Sequence, residues 1–486
     1  MKYNDFGGKQ IPAFIGSLKN IRHLDLSNAG FTGRVPYQLG NLTSLQYLDL
    51  SFNFDMLSEK LEWLSQLSFL EYVRLNQVNL GEATDWLQVV SQLPSLTELQ
   101  LRGCNLPSVI ASSSVSFGNS SRSLAHLDLS LNDVSNSVYY WLSNSSSSLV
   151  YLDLSSNKLQ GPIPDSAFPN PTSLSYLDLS NNQLVSVPKS FRNLCRLRAL
   201  YQDSNNLTDL LPNLFLKLSN CSRDTLEILQ LNSNMLRGSL PDITLFSSLQ
   251  ELHLYDNMLD GSFPRSFGQQ SNLSILELDS NQLGGSLPDF SVFLSMKVLY
   301  VNNNRFTGTL TKSIGQLSQL ELLDVASNSL EDYYNDHALL VWKRKDSEYR
   351  NTLGLVKSID LSSNRLYGEI PEEVTSLVGL ISLNLPKNSL TGPIPSKIGG
   401  LTLLNSLDLS KNMLMRAIPE GLSQLSLLGV WDLSNNNLTG KIPSSTQLQS
   451  FDASTYSGNP ELCGLPLPNK CPGEEQAQDP AIKGAC

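Results

Sequence analysis

One repeated pattern constrains the fold of this chain more than any other feature. Its form is Leu-x-Leu-x-x-Asn-x-Leu, as in residues 407–414, LDLSKNML. From Asn4 to Asn436 there are 432 residues over 17 steps, about 25 residues per step. No isolated copy could bury its own leucines, so successive copies must stack. Asparagine fills the sixth position at Asn4, Asn53, Asn132, Asn157, Asn182, Asn205, Asn234, Asn257, Asn281, Asn304, Asn328, Asn364, Asn388, Asn412 and Asn436.

The pattern also predicts local geometry. Side chains alternate between the two faces of a strand, so the leucines of Leu-x-Leu enter the core and the x residues face outward. The asparagine supplies two donors and one acceptor to the backbone of the following turn. Cys104, Val78 and Ala29 occupy three of these positions. Cys104 can still donate weakly, whereas Val78 and Ala29 cannot, so we expect looser turns at those two positions.

The other half of each copy carries a Gly-x-apolar-Pro unit, as in Gly392–Pro395. Proline fixes φ and removes a backbone donor, which favours extended or 3₁₀ backbone over a long helix. The two halves together predict an α/β repeat solenoid. We expect a superhelical horseshoe with parallel β-strands on its concave face and 3₁₀ or extended segments on its convex face.

Composition and missing motifs narrow the function. With 34 Lys+Arg against 45 Asp+Glu the formal charge is −11, which argues against nucleic-acid binding. The sequence contains no apolar run of about 18 residues and no recognisable secretory signal. It also contains no H-E-x-x-H, C-x-x-C or phosphate-binding loop. We therefore expect no enzyme activity, no metal and no cofactor.

The period changes once. The step from Asn328 to Asn364 is about a dozen residues longer than its neighbours, and the extra residues are charged and aromatic. They form either a solvated loop or a binding insertion that a rigid scaffold positions. The candidate binding residues in it are Tyr334, Trp342, Lys343 and Tyr349. The predicted organisation is repeats over 1–330 (the first partial, without an N-terminal cap), the insertion over 331–352, repeats over 353–445, a C-terminal cap over 446–472 and an acidic flexible tail over 473–486.

The x residues of the strands include an aspartate column, which we interpret as a solvated acidic stripe rather than a metal site. It comprises Asp25, Asp49, Asp128, Asp153, Asp178, Asp360, Asp408 and Asp432. In the middle copies other polar and aromatic residues replace it. These fit anchoring plus hydrogen bonding of a ligand, or ordinary surface variation. The candidate ligand-binding residues are Tyr201, Gln230, His253, Tyr255, Glu277, Asp279, Tyr300 and Asn302.

Cysteines and glycosylation sequons add further expectations. Cys463 and Cys471 flank a proline-rich turn, and we expect a disulfide there. Cys195 and Cys221 form either a bridge or two buried thiols, and Cys486 is unassigned. Several N-x-S/T sequons would carry glycans in a secreted protein. They lie at Asn41, Asn119, Asn144, Asn206, Asn220, Asn272 and Asn437.

Three stretches resemble plant leucine-rich-repeat receptor-like proteins, the kinase-less cell-surface receptors of the fungal-elicitor and apple-scab-resistance type. They are IPAFIGSL from Ile11, LGLVKSIDL from Leu353, which follows VWK from Val341, and GNPELCGLPL from Gly458. The resemblance implies a ligand-binding ectodomain at the plasma membrane. It would recognise an extracellular elicitor, peptide or protein in defence or development, and signal through membrane coreceptor and adaptor kinases. The coreceptor-binding positions implied are Ser382, Asn384, Ser406 and Asp408.

The chain also departs from that family. Members begin with a signal peptide and a cysteine-paired cap and end with a membrane helix, so on this interpretation the chain is a member truncated at both ends. Two alternatives remain open at this stage. One is a secreted leucine-rich-repeat inhibitor of a pathogen cell-wall hydrolase, and the other is a non-functional or decoy family member.

Overall fold

The computed structural model describes residues 2–108, 123–145, 148–168, 173–267, 272–309, 317, 319–331 and 356–472. The chain divides into two compact units. The first unit comprises residues 1–260 and 266–273, and the second comprises residues 261–265 and 274–486. The predicted tail 473–486, and residues 332–352 of the predicted insertion, lie outside the described residues. The five-part organisation expected from the sequence stays a prediction.

The first unit is built on a parallel sheet of three-residue strands, one from each copy of the pattern. Neighbouring strands pair without a shift, so Leu152 lies opposite Leu177 and both leucines are fully buried. The first and third residues of each strand point to the opposite side, which we call the inner face. The strands are His23–Asp25, Tyr47–Asp49, Tyr72–Arg74, Glu98–Gln100, His126–Asp128, Tyr151–Asp153, Tyr176–Asp178, Ala199–Tyr201, Ile228–Gln230 and Glu251–His253.

The second unit repeats this design. Its sheet keeps its register across the longer step, because Leu323 pairs with Ile359 as directly as Leu383 pairs with Leu407. The insertion therefore does not displace the strands on either side of it. The strands are Ile275–Glu277, Val298–Tyr300, Leu322–Asp324, Ser358–Asp360, Ser382–Asn384, Ser406–Asp408 and Val430–Asp432.

Further strands of two to five residues follow the turns in both units and form small parallel sheets of two or three strands. In the first unit they are Gly33–Arg34, Met56–Leu57, Gln160–Pro162, Gln183–Ser186, Arg237–Gly238 and Met258–Leu259. In the second unit they are Gly284–Gly285, Arg305–Gly308, Ser329–Leu330, Tyr367–Glu369, Ser389–Thr391, Met415–Arg416, Asn437–Lys441 and Glu461–Cys463.

The return segments are mostly 3₁₀ helices that begin after a proline, as at Pro188 and Pro395. Proline satisfies the extended φ needed at that position and needs no hydrogen bond. The 3₁₀ helices are Ala13–Ser17, Tyr37–Asn41, Glu62–Gln66, Asp165–Ala167, Lys189–Asn193, Ser222–Asp224, Phe290–Val292, Glu372–Ser376, Ser396–Gly400, Glu420–Gln424 and Ala453–Tyr456. The α-helices are Trp86–Val90, Val138–Ser145, Leu211–Leu218 and Thr446–Ser450.

The repeated asparagines form a buried hydrogen-bonded ladder. Asn157 donates through Nδ2 to the carbonyls of Leu129, Leu154 and Ser155 at 2.9–3.1 Å, and its Oδ1 accepts from the backbone N–H of Val134 at 2.9 Å. Each such side chain therefore bonds its own turn and the turn of the preceding copy. Asn4, the first position, is exposed, and its amide donates to the Lys2 carbonyl at 3.2 Å.

The expectation of looser turns at Ala29 and Val78 is wrong. Both residues are fully buried, and the residue before each keeps the left-handed φ found throughout the ladder. The next copy supplies the missing bonds. Asn53 accepts from the N–H of Ala29 and donates to the Leu26 carbonyl, while the thiol of Cys104 reaches the Leu75 carbonyl at 3.1 Å.

The ladder also extends one step beyond the sequence prediction. Asn459 is 5% exposed, donates to the carbonyls of Leu433 and Tyr456, and accepts from the N–H of Leu438. It lies inside the segment predicted as a C-terminal cap, 23 residues after Asn436. That spacing could have predicted the position from the sequence. Asn459 was not recognised because it lies in the sequence Gly-Asn-Pro and does not follow a Leu-x-Leu pattern.

The described residues contain two disulfides, Cys195–Cys221 and Cys463–Cys471. The first resolves the alternative left open by the sequence, and the second confirms the bridge expected at the C-terminal turn. Cys104 is a buried free thiol, and its burial raises its pKa to about 12. No helix among the described residues has the length and apolar character that crossing a membrane requires. The predicted fold class, a leucine-rich-repeat solenoid, is thus confirmed in each unit.

Candidate functional site

Stacked aromatic rings occupy the inner face of the first unit. The rings of His126 and Tyr151 lie 5.9 Å apart, those of Tyr151 and Tyr176 lie 4.3 Å apart, and those of Tyr176 and Tyr201 lie 5.2 Å apart. We call these four residues the tyrosine row. The unshifted strand pairing aligns His126, Tyr151 and Tyr176, because side chains at equal positions on neighbouring strands are directly opposite. Tyr201 is at the third position of the next strand, opposite Asp178, and its ring reaches Tyr176 diagonally. Of these four residues only Tyr201 was predicted from the sequence, because the prediction used the third strand position and not the first.

Three carboxylates run beside the tyrosine row on the same strands. Asp128, Asp153 and Asp178 are paired in register and form what we call the aspartate row. Each accepts from the backbone N–H and the hydroxyl of the serine two residues later, at 2.9 Å and 2.6–2.7 Å. These bonds fix the carboxylates at the start of each turn.

The prediction of a solvated acidic stripe is therefore wrong in part. Asp49 and Asp153 are only 5% exposed, since neighbouring rings and turns cover them. Burial raises the pKa of Asp153 to about 6, and the neighbouring Asp178 and Asp128 raise it further, against the hydrogen bonds from Ser155. Burial likewise raises the pKa of Asp178. The carboxylates are thus crowded together with little solvent.

The same crowding acts on the phenols. Burial and the charge of Asp153 raise the pKa of Tyr151 to about 12, and burial and Asp178 raise that of Tyr176. A surface that disfavours negative charge this strongly favours a cation next to it. Flat aromatic faces with carboxylates beside them are also the arrangement that binds an ammonium or guanidinium group.

The remaining candidates of the first unit continue from Tyr201. Gln230 lies opposite Tyr201 and His253 in the strand register, and it is half-buried. Tyr255 is also half-buried. His253 was expected to project from the inner face, but it is only 9% exposed, with Nε2 at 3.5 Å from Oε2 of Glu251. Its third strand position does place it on the inner face, opposite Gln230, but neighbouring residues cover most of the ring.

The candidates of the second unit form their own group. Glu277 lies opposite Tyr300 in the strand register, and Tyr300 lies opposite Asp324. Burial, Glu277 and Asp324 raise the pKa of Tyr300. Asp279 and Asn302 are half-buried on the same face. The structure therefore brings Glu277 and Tyr300 together, as strand alternation predicted.

The implied coreceptor positions lie further along the second unit. Asn384 donates through Nδ2 to Asp360 at 3.3 Å, and the hydroxyl of Ser406 donates to Oδ1 of Asn384 at 3.3 Å. Asp408 accepts from the N–H of Ser410 at 2.9 Å, and Ser382 is half-buried. Asp360, Asn384 and Ser406 thus form a hydrogen-bonded row, and Ser382 and Asp408 lie beside it in the strand register.

Some candidates cannot be placed. The insertion residues Tyr334, Trp342, Lys343 and Tyr349 lie outside the described residues, as do Asn119 and the side chain of Asn144. Within the described part of the chain, no group of histidine, cysteine or acidic residues could hold a metal ion. The other sequon asparagines are all exposed, and their glycosylation stays a prediction: Asn41, Asn206, Asn220, Asn272 and Asn437.

Comparisons with known proteins agree with this architecture. A leucine-rich-repeat family model matches residues 147–207, and a second such model matches 20–42, 248–270 and 355–377. Receptor-like protein EIX1 of Solanum lycopersicum is 38% identical over 268 residues, which cover 55% of this chain and 26% of that protein. Receptor-like protein 49 of Arabidopsis thaliana is 64% identical over 148 residues, covering 30% of this chain and 18% of that one.

Among solved structures, the Arabidopsis receptor kinase HAESA in complex with the peptide hormone IDA and the co-receptor SERK1 has a TM-score of 0.70 and 27% identity. The likeness covers 97% of this chain and 79% of that chain. The fold, the inner faces and the matching family models define a leucine-rich-repeat protein. The chain is similar to plant receptor-like proteins, and its matches span about a quarter or less of the curated relatives' length.

Proposed function

We propose that this chain is part of the ligand-binding ectodomain of a plant cell-surface receptor-like protein, acting in defence or development. Its ligand is an extracellular peptide or protein that carries a lysine or arginine side chain. The observation that carries the proposal is the tyrosine row lying beside the aspartate row on the inner face of the first unit. The relatives named as receptor-like proteins and the peptide complex of HAESA support the peptide class of ligand.

The molecule contains an internal example of the proposed recognition. The guanidinium of Arg74 lies 5.6 Å from the centre of the Tyr47 ring and donates to the Tyr47 hydroxyl at 3.3 Å. Its Nε bonds to Glu98 at 2.6 Å. At the tyrosine row the rings of Tyr151 and Tyr176 stack on each other, so a ligand cation would contact their hydroxyls and the carboxylates beside them, as Arg74 contacts the Tyr47 hydroxyl and Glu98.

The second unit fits the proposed role of partner contact. The row from Asp360 through Asn384 to Ser406 consists of short polar side chains, which let another backbone approach closely. HAESA in its complex is bound to the co-receptor SERK1. We therefore include signalling through a partner receptor kinase in the proposal, with Ser382, Asn384, Ser406 and Asp408 as contact positions.

A selection experiment tests the ligand class. A displayed library of random twelve-residue peptides is panned against the purified chain, and the enriched peptides are remeasured by calorimetry. We expect enrichment of lysine and arginine, and at least about a tenfold loss of affinity for Tyr176→Ala. Ser382→Ala, on the inner face of the second unit, is the matched control and should leave affinity unchanged. Peptides without basic residues, or full affinity in Tyr176→Ala, would refute the proposal.

A further inference from the structure

A cleft of about 490 Å³ on the first unit is lined mainly by basic side chains. Lys189 and Arg192 come from the 3₁₀ helix Lys189–Asn193, Lys217 from the helix Leu211–Leu218, and Arg223 from the 3₁₀ helix Ser222–Asp224. None of these elements belongs to an inner-face strand. The cleft is therefore separate from the proposed ligand-binding face.

Covalent and hydrogen bonds hold the walls of the cleft together. The disulfide Cys195–Cys221 joins the segment after the first wall to the segment before the third. Asn220 donates through Nδ2 to the Arg192 carbonyl at 3.1 Å. Lys217 donates to the Val187 carbonyl at 2.6 Å and to Asp209 at 3.0 Å. The cleft is thus largely formed before any ligand arrives, which lowers the ordering cost of binding.

The charge of the cleft is opposite to that of the chain. The chain has a formal charge of −11, yet among the described residues that line the cleft none is acidic. Lys217 is neutralised by Asp209, and Arg223 pairs with its exposed neighbour Asp224 at 3.3 Å. Lys189 and Arg192 are exposed and make no ion pair within the described part of the chain. These two side chains leave the cleft with a net positive charge that attracts anions.

We propose that this cleft binds a linear oligosaccharide that carries carboxylates. Arginine and lysine bind carboxylates through charge-assisted hydrogen bonds. Leu216, which is 70% exposed at the cleft, offers an apolar contact to the face of a sugar ring, and Asn220 offers an amide oxygen to its hydroxyls. The walls are helical, so they provide no strand edge for the backbone of a peptide. This inference does not depend on the proposed receptor function.

Calorimetric titration with an oligogalacturonate of about ten sugars tests the proposal, using protein produced in a host that adds no N-glycans because Asn220 lies in a sequon. Binding should weaken as salt rises, and a neutral maltooligosaccharide of equal length should not bind. Arg192→Glu should weaken binding by at least about fivefold, because it replaces a bidentate donor by a like charge. Lys397→Glu makes the same charge change on another 3₁₀ helix, Ser396–Gly400, and should change affinity less than about twofold.

Each other outcome overturns the proposal. Equal binding by Arg192→Glu and the wild-type chain would place the oligosaccharide elsewhere. Tighter binding of polyglutamate than of the oligogalacturonate, lost in Arg192→Glu, would make the cleft a site for acidic peptides. Binding of inorganic phosphate alone, with no gain from a longer chain, would make it a simple anion site.

Discussion

The inner faces of the two units differ although the same repeat builds both. At the first strand position the first unit carries rings, including Tyr151 and Tyr176, whereas the second carries serines and aliphatic residues such as Ser382 and Val298. At the third position both units keep aspartates. Burial raises the pKa of Asp324 in the second unit to about 6, as it does for Asp153 in the first, and Asp360 and Asp279 add to the effect.

The comparison separates features that the repeat produces in every copy from features that depend on the sequence of individual copies. Carboxylates with raised pKa values occur on the inner faces of both units, because the third residue of each strand lies beside the third residues of the neighbouring strands. Rings at the first strand position occur, among the described strands, in the first unit alone. We infer that the shared aspartates serve mainly to form the turns, and that the first strand position determines what each face can bind.

The asparagine ladder is the same in both units, so its variants should affect both units equally, unlike changes on the inner faces. Asn157 and Asn412 are each 9% exposed and make equivalent bonds, three donated and one accepted. Asn157→Ala and Asn412→Ala should each destabilise the protein by at least about 3 kcal/mol, since each leaves several buried backbone groups unpaired. Thermal unfolding with hydrogen exchange in the neighbouring copies measures this. An unchanged midpoint in either variant would contradict the ladder's structural role.

One core position also differs between the two units. Gln202 occupies a leucine position, is fully buried, and neither polar side-chain atom makes a hydrogen bond within the described residues. The equivalent residue of the second unit, Val301, is buried and aliphatic. Gln202→Leu should stabilise the protein by about 1–3 kcal/mol, and Val301→Gln should destabilise it by a similar amount. Thermal midpoints of both variants test this, and a loss of stability in Gln202→Leu would mean that the amide has a partner.

The smallest expected difference between the two units is in the pH dependence of their stability. Because the folded-state pKa of Asp153 is about 6 and the ordinary value is 3.8, the folded state binds its proton more tightly than the unfolded state. Stability should therefore rise as pH falls from about 6.5 to about 4. Asp153→Asn should remove roughly 1–3 kcal/mol of that rise, and Asp324→Asn less because Asp324 is more exposed. Chemical unfolding at several pH values checks this, and an identical pH slope in Asp153→Asn would contradict it.

Periodicity made the fold largely predictable. A pattern with a fixed step specifies strand direction, register and the buried leucines, since each copy has only its neighbours to pack against. The expectation from periodicity was wrong at Ala29 and Val78. These positions lack the ladder asparagine, but the next copy provides the bonds. Compensation by a neighbour is a tertiary effect, and no single copy of the sequence reveals it.

The candidate sites were less predictable. Strand alternation correctly brought Glu277 and Tyr300 together on one face, but it assigned His253 to solvent although the fold buries it. It also overlooked Tyr151 and Tyr176, whose importance lies in their mutual stacking. The basic cleft has no sequence signature either, because Arg192 and Arg223 come from separate copies that a disulfide brings together.

The sequence by itself determined the repeating turn, the parallel strands and the asparagine ladder, because these depend on periodic local bonds that every copy repeats. Only the tertiary structure decided which side chains meet across copies. It stacked the tyrosines, crowded the aspartates and gathered the basic residues of the cleft, because distances between side chains on neighbouring turns are set by packing and not by their order in the chain.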